Sequence, residues 1–298
     1  MRHSQPKSPP HDLPRLAPRG RDTSKRDYGR AVIVGGAAGM AGAPALAAMA
    51  ALRSGAGLVE ALVPEPVVGI TAGFDPCVMT RGCPADGEGL FAAAAEPMIR
   101  ERLHAADGVG IGPGLGRSAA VAAIVQALWR DLPQPAVFDA DALFALAHLR
   151  PPDLLGHAGP RIITPHAGEM LRLLGHQPSS PQSGDRGWLE TQAAAFARAV
   201  DAVVVLKGPA SLVVDRSHTA HNETGNPGMA TGGTGDVLTG VIAALLAQGL
   251  PPFAAARLGT WIHGRAGDLA ACERGEISMT ARDLLERLPQ AFACLSPP

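Results

Sequence analysis

The chain has 298 residues, 46% of them hydrophobic but only 4% aromatic, with 26 Lys and Arg against 27 Asp and Glu. That length and apolar content suit one large α/β domain with a core of Ala, Val, Leu and Ile. The balanced charge gives no footprint for nucleic acid, and no apolar run reaches the roughly 18 residues of a membrane span. Cys77, Cys83, Cys272 and Cys294 lack C-x-x-C spacing. They are expected as reduced thiols of a cytoplasmic protein, not as a disulfide frame or zinc site.

Residues 1–30 carry eight Lys or Arg against three Asp, several prolines and no apolar h-region. A disordered basic tail over 1–28 is expected, followed by one domain over 29–298. Residues 31–34 form a short buried strand that runs straight into Gly35, Gly36, Gly39 and Gly42. A helix then begins near Pro44, and 58–63 is the next strand, completing a βαβ unit. The glycine spacing is not G-x-G-x-x-G, and Glu60 lies inside the second strand instead of ending it, so a dinucleotide fingerprint is not indicated.

Residues 108–111 are a strand feeding Gly112-Pro113-Gly114-Leu115-Gly116, too glycine-rich for a plain turn; a helix over 119–130 follows. The strand 136–138 delivers Asp139-Ala140-Asp141. Asp141 is expected to cap the next helix, and Asp139 to face a site at the strand ends, where it organises Mg²⁺ through water. The strand 161–164 ends in Thr164-Pro165-His166-Ala167-Gly168-Glu169. Capping accounts for Thr164 and Glu169 but leaves His166 as a site residue. The apolar strand 202–206 is central and delivers Lys207-Gly208-Pro209-Ala210-Ser211, with Lys207 suited to phosphate contact. Residues 212–214 return as a strand.

The strongest stretch is the glycine-rich loop from Gly225 to Asp236, which opens directly into a helix. Val237, Leu238, Val241, Ile242, Leu245 and Leu246 give that helix one apolar stripe, and Gly249 with Pro251 ends it. Loop N–H groups behind a helix N-terminus cradle anions. No Gly-Lys-Ser/Thr follows, so the loop is not of the Walker kind. A lone carboxylate there, Asp236, repels the anion unless it has another role, and a general base beside a phosphoryl group is such a role. Further helices are expected over 253–271 and over 281–288, the latter capped by Thr280. The alternation predicts a doubly wound, mostly parallel sheet flanked by helices. Its active edge collects the glycine loops, Asp139, His166, Lys207 and Asp236.

Four blocks in this order carry a family resemblance. They are the loop from Gly35 to Ala43 with the segment 51–59, Gly112 to Gly116, Thr164 to Glu169, and Asn226 to Asp236. The chain resembles the ADP-dependent (S)-NAD(P)H-hydrate dehydratases of the ribokinase-like superfamily. The resemblance implies a three-layer ribokinase-like fold and repair of NADH or NADPH whose nicotinamide ring has been hydrated, with ADP giving AMP and phosphate. It places the hydrated dinucleotide at Ala43, Gly114 or Gly116, His166 and Asp236. It places the adenine nucleotide along Lys207, Gly208, Pro209, Ala210 and Ser211, with Gly233, Thr234 and Gly235 as the phosphate loop. It further implies a homotetramer, and a hydrate epimerase acting on the same pool as a separate protein, since a 28-residue tail is too short to be that domain. Two other readings share the fold or the loop: an ATP-dependent small-molecule kinase of thiazole type using the same Asp236, and a non-catalytic nucleotide sensor. Alanine-rich Ala37-Ala38 and Pro209-Ala210 depart slightly from the family pattern.

Overall fold

The computed structural model describes residues 8–295. One sheet contains β1 (Arg30–Val34), β2 (Leu58–Pro64), β3 (Met79–Cys83), β4 (Gly108–Ile111), β5 (Ala136–Phe138), β6 (Arg161–Ile163), β7 (Val203–Leu206), β8 (Ser211–Val214) and β9 (Thr219–Asn222). The helices are α1 (Gly42–Arg53), α2 (Val68–Ala72), α3 (Glu96–Leu103), α4 (Ala119–Asp131), α5 (Asp141–Leu146), α6 (Pro151–Leu154), α7 (Ala167–Leu173), α8 (Arg186–Val200), α9 (Thr234–Ala247), α10 (Pro252–Arg274) and α11 (Ala281–Ala293). The strand order is β3-β2-β1-β4-β5-β6-β7-β8-β9. β1 to β7 run parallel, and β8 and β9 close the edge as an antiparallel hairpin.

The expected three layers follow from strands that are apolar on both faces. Ala31 and Ile33 of β1 enter one core, with α1, α9, α10 and α11. Val32 and Val34 enter the other, against α3, α4, α5, α7 and α8. Within β7, Val203 and Val205 divide from Val204 and Leu206 in the same way. Glu60 does not serve the strand ends. It is buried in mid-strand, where Arg30, Arg81 and Arg102 neutralise it.

Three expectations need correction. The helix α9 does not have one apolar stripe; it is buried all round from Val237 to Ala247. It packs on β1, β4 and β5 on one side and on α1 and α10 on the other, and its small residues are what permit this. A Cβ added at Gly240 would lie 1.9 Å from the carbonyl oxygen of Ala47, so α1 and α9 touch backbone to backbone there. The last helix does not stop at Leu288 but runs to Ala293 through Pro289, with Thr280 capping it as expected. The segment 8–28, expected as disordered tail, lies against the body. Leu13 is buried in the first core and Leu16 packs on its rim. Asp12 pairs with Arg257 at 2.8 Å, and the Gly57 N–H donates to the Tyr28 carbonyl. Two leucines in a basic stretch are enough to anchor it. Residues 1–7 of that expected tail lie outside the described residues.

The edge strands β3 and β9 carry too few apolar residues to announce themselves. Among the described residues all four cysteines are free, and no helix is long and apolar enough to cross a membrane. Replacing Gly240 with Ala should push α1 from α9 and cost about 1–3 kcal/mol of stability. A lowered midpoint in thermal or urea unfolding would report this; an unchanged midpoint would mean the two backbones are not in contact.

Candidate active site

The chain leaves β1 for β2 on one side and later returns through β4 on the other, so β1 and β4 form the switch point of the sheet. Ligands of open α/β sheets bind outside the carboxyl ends of strands at such a point. The glycine loops after β1 and β4 meet there, and the Gly36 N–H donates to the Pro113 carbonyl at 2.8 Å. Gly112 has φ +133°, and a Cβ on it would sit 1.8 Å from the Asp139 carbonyl oxygen, so only glycine fits. A Cβ on Gly114 would lie 3.1 Å from the Ala43 methyl, which puts Gly114 and Ala43 side by side.

Asp141 does not cap α5 as expected. The N-cap is Ala140, at φ 51° and without a side-chain cap. The Asp141 carboxylate instead accepts from the Gly116 N–H at 3.0 Å and from Arg117 Nε at 3.0 Å, which ties down the glycine loop. His166, expected to stand apart from capping, is itself the N-cap of α7. Its Nδ1 accepts from the Gly168 and Glu169 N–H groups at 3.0 and 3.3 Å, and the Glu169 carboxylate accepts from the His166 N–H. With Nδ1 an acceptor, the ring proton resides on Nε2. The exposed ring presents that N–H, 3.5 Å from Glu169 Oε1, at the same sheet edge as Asp139.

Beneath these loops lies an acidic cluster around one ammonium. Lys207 Nζ donates to Asp139 Oδ1 at 2.8 Å and stands 3.8 Å from Glu169 Oε2. Thr239 Oγ1 donates to Asp139 Oδ2 at 3.0 Å. Burial alone would lower the Lys207 pKa, but Asp139, Glu169 and Asp236 outweigh it and raise the value. Burial is also the first cause raising the carboxyl of Glu169. The first turn of α9 rests on this pair, since a Cβ on Gly235 would be 3.4 Å from both Asp139 Oδ2 and Lys207 Nζ. Lys207 therefore spends its charge on carboxylates, not on an open phosphate site. Asp139 has both oxygens engaged, and among the described residues no cluster of His, Cys, Asp and Glu could hold a metal ion.

Asp236 stands in the first turn of α9, half-buried, with no hydrogen bond to another described residue. Burial first and the Asp139 charge second push its pKa up to about 7, against the pull of Lys207. The loop before it is knotted by Thr234 Oγ1, which donates to the Met229 and Thr231 carbonyls at 2.9 and 3.0 Å. Gly233, at φ 92°, is the N-cap. His263 Nε2 donates to the Thr234 carbonyl at 2.8 Å. Burial depresses the His263 pKa to about 4, so this anchor stays neutral.

Residues Lys207 to Ser211 form the turn between β7 and β8, with Gly208, Pro209 and Ala210 exposed. Arg186 clamps it by donating to the Leu206, Lys207 and Ala210 carbonyls at 3.1–3.3 Å. Ser211 Oγ donates to the Gly208 carbonyl at 3.0 Å. Contacts thus join Ala43 to Gly114, Gly116 to Asp141, and Asp139, Glu169, Lys207 and Gly235 to one another. Sequence reasoning missed Thr239, Arg186 and His263 as site residues. None sits in a motif, and His263 lies inside the long helix α10 with nothing local to mark it.

The family model for NAD(P)H-hydrate dehydratase matches residues 31–290. A bifunctional NAD(P)H-hydrate repair enzyme of Moorella thermoacetica is 48% identical over 263 residues, 88% of this chain and 49% of that protein. The chain thus spans about half the length of the bifunctional relatives it matches. An ADP-dependent (S)-NAD(P)H-hydrate dehydratase of Neisseria meningitidis is 37% identical over 284 residues, covering 92% of this chain and 90% of the relative. Among solved structures, the ADP/ATP-dependent NAD(P)H-hydrate dehydratase of Bacillus subtilis, co-crystallised with ATP and Mg²⁺, superposes with a TM-score of 0.77 at 27% identity, covering 93% of this chain and 94% of that one. With all four sequence blocks inside the matched span and their loops gathered at one sheet edge, the chain belongs to the NAD(P)H-hydrate dehydratase family.

Proposed function

We propose that this chain removes the ring hydroxyl from the S epimer of hydrated NADH or NADPH at the expense of ADP, releasing AMP and phosphate. The observation that carries the reading is Asp236, an unbonded carboxylate with a pKa near 7 in the first turn of α9. A base with that pKa is matched to neutral pH. In the proposed step Asp236 takes the proton of the ring hydroxyl, whose oxygen attacks the terminal phosphoryl of ADP and displaces AMP. The N–H groups of Gly233, Thr234 and Gly235 face the charge that spreads over the transferred group. Phosphate then leaves as the ring nitrogen lone pair forms a C=N bond, and loss of a ring proton restores the dihydronicotinamide. His166 orients the substrate through its Nε2–H. The turn Gly208 to Ser211, clamped by Arg186, carries the adenine nucleotide.

Magnesium would travel on the nucleotide phosphates, where it supplies charge neutralisation. Asp139, expected to reach the ion through water, already accepts from Lys207 on one oxygen and from Thr239 on the other; no step runs through the ion. The same reading pairs the chain with a hydrate epimerase working on the same pool and with a homotetrameric assembly.

With hydrated NADH, Mg²⁺ and ADP, dihydronicotinamide absorbance should return with one AMP per turnover. A stable phosphorylated product formed from ATP would instead support the kinase reading. Asp236→Asn should lower turnover about 10²–10⁴-fold, and wild-type kcat/KM should fall as the pH drops below about 7. Full activity maintained down to pH 5 would remove Asp236 as the base.

The same carboxylate should cost stability. Its folded pKa of about 7 lies above the ordinary 3.8, so the folded state loses stability as the pH rises through that interval. Asp236→Asn should therefore melt higher than the wild type at pH 8, by about 1.5–2 °C for each kcal/mol relieved. The gain should vanish near pH 4, and equal melting points at pH 8 would contradict the strained carboxylate.

A further inference from the structure

Beside Gly116, outside the acidic cluster, a cleft of about 360 Å³ opens between the start of α4 and the outer face of α5. Phe144 and Arg117 line it, and Arg172, outside the lining, approaches the Phe144 ring. Arg117 lies 4.1 Å from the ring centroid and Arg172, from α7, lies 5.4 Å away. Arg117 uses Nε on Asp141 Oδ1, which leaves its two terminal nitrogens without a carboxylate. Arg172 forms no ion pair with any described residue. The remaining titratable neighbour is His148, whose Nδ1 bonds to the Phe144 carbonyl while its ring packs edge-on to Phe144. Asp141 is the one carboxylate of the lining, and Arg172 adds a second guanidinium to Arg117 on the same ring, so positive charge exceeds negative around Phe144.

We infer that this cleft is a phosphate subsite for the adenosine half of the dinucleotide substrate. The inference rests on the proposed function, which places the reacting ring at Asp236 and the dinucleotide against the glycine loop. The cleft begins at Gly116, the last glycine of that loop, whose N–H is fixed by the same Asp141 that holds Arg117. A dinucleotide anchored only at its ring would leave the other half loose. Planar guanidinium forks held against an aromatic face are pre-ordered for phosphate oxygens and lose little freedom on binding. Two sources offer the required anion, the bridging diphosphate common to both cofactors and the 2′-phosphate of the NADPH form alone. With the 2′-phosphate as the anion the subsite ranks the two hydrates; with the diphosphate it holds both alike.

The test measures Kd for the reaction products, NADPH and NADH, on wild type, Arg172→Ala and Arg117→Lys. The second variant keeps the charge beside Asp141 but removes the fork. Either variant should bind NADPH about tenfold more weakly, as loss of a charge-assisted contact predicts. Weakening confined to NADPH assigns the 2′-phosphate; equal weakening of NADH and NADPH assigns the diphosphate. Unchanged affinity for both dinucleotides in both variants overturns the inference. Wild-type turnover of hydrated NADH with ADP, measured in parallel, separates this outcome from a failure of the proposed reaction, because product binding does not require turnover.

Discussion

The ion pair of Lys207 and Asp139 is the contact on which the rest of the site depends. It lies under the first turn of α9 and joins the ends of β5 and β7 across β6. Three carboxylates, Asp139, Glu169 and Asp236, act on a single ammonium. Without that ammonium they would repel one another in a setting where burial already disfavours charge. With it, Asp139 is pinned by Lys207 and Thr239, while Asp236 receives only part of the attraction and stays close to neutral pH in its titration. The partition separates the two acids: Asp139 is held by two donors, and the Asp236 carboxylate is left unbonded with its pKa raised to about 7.

That arrangement explains why the centre of the molecule is so closely packed. The first turn of α9 must sit against Asp139 and Lys207, so α9 itself must lie near the sheet along its length. Small residues on α9 and a glycine against α1 allow this. The glycine at 112 does the same for the loop after β4, whose backbone presses on the Asp139 carbonyl. The glycine blocks are thus close-approach devices as much as flexible loops. Their spacing in the sequence reflects where backbone meets backbone at the switch point.

This is also why part of the site was legible and part was not. Gly112, Gly114 and Gly228 declare themselves because a backbone that must pass another at short range leaves only glycine as a choice. Asp236 stood out because a carboxylate at a glycine-rich helix start is unusual, and its pKa is raised there by burial and by Asp139. Alternating strands and helices gave the layers, since a strand apolar on both faces must be covered on both. Thr239 was not legible: its partner Asp139 is 100 residues away, and a threonine in a buried helix has no local signature. His263 and Arg186 are hidden for the same reason, acting on backbone carbonyls of distant loops. His166 was expected to stand apart from capping and is itself a cap, because its ring turns back onto its own helix, which no local pattern announces. The tail was misread because composition averages over the two leucines that anchor it.

Under the proposed reaction, the chemistry asks little beyond what a phosphoryl-transfer site already provides. An alcohol phosphorylated by such a site is a stable product when its carbon has no electron-rich neighbour. The hydroxyl of a hydrated nicotinamide sits on a carbon next to the ring nitrogen, whose lone pair expels phosphate once hydroxide has become a good leaving group. Elimination is therefore a property of the substrate, and no second acid is needed to drive it. What the protein must add to a kinase-like centre is recognition of a large dinucleotide in the acceptor position. The proposed reaction assigns that task to the parts of this chain off the phosphoryl-transfer line, His166 on its cap and the loop from Gly112 to Gly116 tied down by Asp141.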